Sequence, residues 1–132
     1  MPFFDTAGDQ RMVHQNQPAW DAIAHYIQLA DGKLPKRPWN ILDWGCHRGG
    51  LLQTLSGEFV ARLQDLYGVE LDEEAREYAL RHLQQMLFCR DLSRVPDQSV
   101  DVFVSHEVLY LVELDWFLIE LKRVLRPDGA AF

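Results

Sequence analysis

The stretch ILDWGCHRGG, Ile41–Gly50, decides the fold. A short apolar run from Trp39 to Asp43 reads as a buried strand, and it leads straight into a loop with glycines at 45, 49 and 50. Glycine lets a backbone approach a ligand closely. Leu51, Leu52, Leu55 and Phe59 predict a helix after the loop, and its first N–H groups would be free to meet an anion or a polar group. Strand, glycine loop and helix start together make a nucleotide-type site. A glycine-rich turn by itself is often only a tight turn, so the rest of the chain has to support the reading.

On either side of this stretch the pattern alternates. Leu66–Leu71 (LYGVEL) predicts a second strand, and Asp72 a cap for a helix with Glu73 and Glu74 in its first turn and Ala75, Ala79 and Leu83 on one face, ending near Gln85. Met86–Asp91 predicts a third strand and Ser99–Ser105 a fourth. Asp115 is expected to cap a last helix whose Phe117, Leu118, Leu121 and Leu125 point inward. Lys122, Arg123 and Arg126 would suit that helix's negative end, and Pro127 with Gly129 would stop it ahead of a fifth strand opening at Gly129. Upstream, Trp20, Ile23, Ala24 and Ile27 recur at helical spacing after Pro18. Residues 1–16 read as a flexible N-terminal arm or lid, and residues 17–132 as the core. Strands separated by such helices pair in parallel, so the fold class is α/β, a Rossmann-like three-layer sandwich with a mostly parallel sheet.

Composition narrows the function classes. The chain has 132 residues, 48% of them hydrophobic, and a formal net charge of −7. That balance suits one globular domain and gives no broad electrostatic grip on nucleic acid or anionic lipid. No apolar run is long enough for a membrane span and the N-terminus lacks the pattern of a secretion signal, so a cytoplasmic location is expected. Cys46 and Cys89 are expected to be free thiols, and the five histidines have no metal-ligand spacing, so no metal is expected.

The chemistry concentrates at strand ends. Asp43, Glu70 and Asp91 each close one of three successive strands, and carboxyl edges of parallel strands are where such sheets bind ligands. Glu70 lies about 20 residues beyond the loop, where an acid can accept from ribose hydroxyls. Four segments in order, ILDWGCHRGG, YGVELDEEARE, CRDLSRVPDQSVDVFVS and LKRVLRPDG, resemble the motifs of the class I S-adenosylmethionine-dependent methyltransferases, from about Ile41 to Gly129. The resemblance implies S-adenosylmethionine as cofactor and methyl transfer to an acceptor, expected to be a small molecule. It also implies roles for residues. Asp43 with the backbone of Gly45 and Cys46 would hold the methionine end, in a loop that includes His47 and Gly49. Glu70 would hold the ribose hydroxyls, Leu71 the adenine face, and Asp91 with Leu92 the adenine amino group and ring. Ser105 and His106 would lie near the sulfonium and the acceptor.

Two departures stand out. His47 occupies the place of the family motif's middle glycine, where a positive φ would disfavour it. The family fold also continues past a fifth strand, so the chain is expected to hold the N-terminal part of it, with a sheet edge open to pairing with a second chain. The alternatives are a non-catalytic cofactor- or partner-binding module and, further off, an NAD-linked oxidoreductase, whose fingerprint needs glycine where His47 stands. No catalytic residue can be picked out: His106 as a base, Cys46 as a nucleophile and Trp44 or Trp116 as cage residues each have a commoner structural reading.

Overall fold

The computed structural model describes residues 7–106, 108 and 112–132. Five parallel strands form one sheet in the order β3-β2-β1-β4-β5, with β1 Trp39–Trp44, β2 Leu63–Val69, β3 Leu87–Cys89, β4 Val100–Ser105 and β5 Leu125–Ala131. Among the described residues four α-helices alternate with them: α1 Ala7–Ala30, α2 Gly50–Glu58, α3 Glu73–His82 and α4 Leu114–Val124. The strand order turns back at β1, so the crevice between the ends of β1 and β4 is the place where such a sheet admits a ligand.

Both sheet faces are covered, which explains why the central strands are apolar nearly throughout. On one face Ile41, Val102 and Val104 meet Trp20, Ala24 and Ile27 of α1 and Leu51, Leu52 and Leu55 of α2. On the other, Leu42, Trp44 and Phe103 meet Phe117 and Val124 of α4. The expected α/β three-layer class is the observed one. At the amino end of β4 the buried Asp101 pairs with Arg126 at 2.9 Å and Arg37 at 2.6 Å and accepts from Asn40 N, closing the edge of the sheet opposite the crevice.

Several expectations need correction. The first helix begins at Ala7, so residues 7–16 are helical where an arm was expected, and Pro18 lies inside the helix; residues 1–6 lie outside the described ones. An apolar period cannot reveal a polar helical turn, and Pro18 looked like a start because it lacks an N–H. β2 begins at Leu63 and ends at Val69, leaving Glu70 and Leu71 just beyond it, and α3 ends at His82. Glu113, not Asp115, occupies the cap position of α4, and Leu118 is 51% exposed instead of inward. β5 starts at Leu125, directly after α4. Its pairing with β4 slips between Val100 and Val102, and Pro127, which can give no ladder bond, sits in the slipped stretch of this edge strand. Arg126 is therefore not a helix-end cation but a partner of Asp101.

Candidate functional site

The loop after β1 is built from three left-handed residues, Gly45 (φ 76°), His47 (φ 50°) and Gly49 (φ 89°). His47 thus adopts the conformation that a glycine would take without cost, and its N–H donates to Glu70 Oε1 at 2.7 Å, which helps hold it there. The other Glu70 oxygen accepts from Asp72 N at 2.9 Å, and Arg76 donates to the Glu70 carbonyl at 2.8 Å. Gly45 N and Cys46 N both donate to Val69 O, at 2.8 and 3.1 Å. One acidic residue past β2 therefore ties the loop after β1 to the start of α3. Asp72 caps α3 as expected, accepting from Ala75 N.

Close approach constrains two glycines. A Cβ on Gly45 would meet Val108 Cγ2 at 2.3 Å, and one on Gly50 would meet the Trp20 ring at 2.2 Å. Both the loop and the start of α2 are covered by side chains that only a hydrogen at Cα permits.

Asp43 is 2% exposed, and among the described residues nothing donates a hydrogen bond to its carboxyl. Burial, and then the charge of Glu70, push its pKa up to about 8. Burial likewise pushes the Cys46 thiol well above its ordinary range, with Asp43 adding to the effect, which leaves the thiol protonated and a poor nucleophile. Asp91 is the opposite case: the Ser93 hydroxyl and N–H donate to its carboxylate and hold it below the usual carboxylate range. Cys46 and Cys89 are both free thiols, as expected.

A cavity of about 620 Å³ opens at this edge. Asp43, Gly45, Cys46, His47, Glu70, Leu71, Asp91, Leu92 and His106 line it, so most of the predicted site residues are brought together. Gly49 and Ser105 are not in its wall: Gly49 occupies the cap position of α2, and the Ser105 hydroxyl is buried with no hydrogen-bond partner among the described residues. The wall also contains residues that the sequence did not single out as a site, among them Asn16, Trp20, Arg90 and Val108. Trp20 shares the apolar period of α1 and so looks like core alone. Trp44 is indeed a packing residue, stacked on Phe117 at 4.7 Å, yet it and Trp116 also line the cavity.

The sequence profile of the methyltransferase domain matches residues 42–132. The chain belongs to this family. The expected S-adenosylmethionine cofactor and class I fold agree with it, and the NAD-linked oxidoreductase is not favoured. Three solved structures are similar. A proposed S-adenosyl-L-methionine-dependent methyltransferase of Methanococcus maripaludis is 19% identical, with a TM-score of 0.75 over 97% of this chain. A SAM-dependent methyltransferase of Aquifex aeolicus is 26% identical, with a TM-score of 0.60 over 76%. The geranyl diphosphate C-methyltransferase of Streptomyces coelicolor, solved with Mg2+, geranyl diphosphate and S-adenosyl-L-homocysteine, is 20% identical, with a TM-score of 0.66 over 84%. The chain spans 62, 57 and 43% of the lengths of those chains, in the same order. No curated protein matches it. No helix among the described residues is long and apolar enough to cross a membrane.

Proposed function

We propose that the chain binds S-adenosylmethionine in the cavity at the carboxyl edge of the sheet and takes part in methyl transfer to a small-molecule acceptor. The observation that carries this is the convergence of Asp43, Glu70 and Asp91, from three neighbouring strand ends, on one cavity. The residues fit the cofactor's charge. A buried carboxyl with no donor of its own is stabilised as an anion by a ligand that brings ammonium or sulfonium charge, and Asp43 is such a carboxyl.

The bound cofactor would supply the reactive methyl group; the chain's residues supply placement and exclusion of water. Asp43, with the backbone of Gly45 and Cys46, would hold the methionine end. Glu70 already uses one lone pair on each oxygen to fix His47 and Asp72, and the remaining ones would accept from the ribose hydroxyls. Asp91 would accept from the adenine amino group, with Leu92 and Leu71 against the ring. His106, beside the crevice, would face the acceptor.

Transfer of labelled methyl from S-adenosylmethionine to a panel of phenols, amines and allylic lipids tests the catalytic half of the proposal. Label in any product supports it. Cofactor binding without transfer across the panel would favour a non-catalytic binding module instead.

A further inference from the structure

Arg123, in the last turn of α4, sends its guanidinium into the segment that follows β3. Nη2 donates to Leu92 O at 2.9 Å, while Nη1 donates to Val95 O at 2.6 Å and to Asp97 at 2.8 Å. Glu120, one turn back on α4, aligns the group from behind, accepting from Nη2 at 2.7 Å and from Nε at 3.2 Å. The Arg123 side chain is 25% exposed and that of Glu120 15%, so this is not a solvated surface pair. The backbone continues the contact: Gln98 N donates to Arg123 O and Ser99 N to Val124 O, both at 2.9 Å. Two carbonyls held by one rigid planar fork leave the turn between them little freedom to shift or rotate.

We propose that Arg123 is a positioning residue for cofactor selectivity: by holding the Leu92 and Val95 carbonyls, it sets where Asp91 presents its carboxylate to the purine ring. The inference rests on the cofactor reading above. Arg123 is not in the cavity wall and acts only through the turn. A cation needed merely at the negative end of α4 could be replaced by lysine without effect, whereas the fork cannot.

The test compares S-adenosylhomocysteine with S-inosylhomocysteine, which has an oxo group where adenine has its amino group, by calorimetry on wild type and Arg123→Lys. Wild type should favour the adenosyl ligand by roughly tenfold or more, as expected when a site's hydrogen-bonding groups would otherwise go unpaired. In Arg123→Lys that preference should shrink toward unity, and amide exchange across residues 92–97 should quicken while α2 is unaffected. Glu120→Gln, which keeps the arginine but loosens its seat, should move both readouts the same way by less, and serves if Arg123→Lys does not fold. An unchanged preference, or equal weakening of both ligands, overturns the proposal, as does a wild type that binds the two alike. A wild type that binds neither overturns the cofactor reading itself.

Discussion

Replacing Asp43 by asparagine should stabilise the free protein, and by an amount that grows with pH. Asp43 is buried, receives no hydrogen bond among the described residues, and has its pKa raised from 3.8 to about 8. Because the folded-state value lies above the unfolded one, the native chain keeps a proton that the unfolded chain has lost between about pH 4 and pH 8. Stability from this group therefore falls as pH rises through that window and is level outside it. One proton corresponds to about 1.4 kcal/mol per pH unit, and four units set an upper bound of about 6 kcal/mol above pH 8. Asparagine keeps the shape and carries no proton to lose. Urea unfolding of both proteins at pH 5, 6, 7 and 8 should give a stability difference, variant minus wild type, that widens by up to about 1.4 kcal/mol per unit. Parallel curves across that range would refute the argument, because they would mean that Asp43 ionises in the fold as freely as in the unfolded chain.

Other expectations follow from the same geometry. Gly45→Ala places a Cβ 2.3 Å from Val108 Cγ2 in a left-handed residue, so affinity for S-adenosylhomocysteine should fall at least tenfold, with partial recovery in Gly45→Ala/Val108→Ala, as read by calorimetry. His47→Gly removes left-handed strain and should raise stability by up to about 1 kcal/mol in urea unfolding, the gain limited by glycine's larger unfolded-state entropy. Leu55→Ala, at a fully buried contact of α2 with the sheet, should cost roughly 2–5 kcal/mol in the same assay. Cys46, buried and with its thiol pushed up, should resist alkylation by iodoacetamide until the protein unfolds, and rapid labelling of the native protein would contradict its placement.

The fold was legible because its signals are local and repeated. Apolar runs such as Ile41–Asp43 and Leu66–Val69 end at an acid, Asp43 and Glu70, and Asp72 caps its helix by a bond within three residues. The boundaries were less legible where tertiary contact decides them. Arg126 looked like a helix-end cation until Asp101, 25 residues away, claimed it. The polar residues 7–16 carry no apolar period, so their helix was invisible. The three carboxylates could be found because each lies at or just past a strand end. Trp20 and Val108 could not, since their place in the cavity wall depends on close approach to Gly50 and Gly45, which no spacing encodes. His47 shows the reverse: the family pattern has a glycine at this position, and the structure has φ 50° there.

Calorimetric titration of the chain with S-adenosylhomocysteine, with Glu70→Gln as comparison and NADH as control, shows whether the cavity at the carboxyl edge of the sheet is a cofactor site. S-adenosylhomocysteine should bind the wild type saturably and Glu70→Gln at least tenfold more weakly, and NADH should not bind. Binding of NADH alone, or S-adenosylhomocysteine affinity indifferent to Glu70, would contradict the cofactor reading.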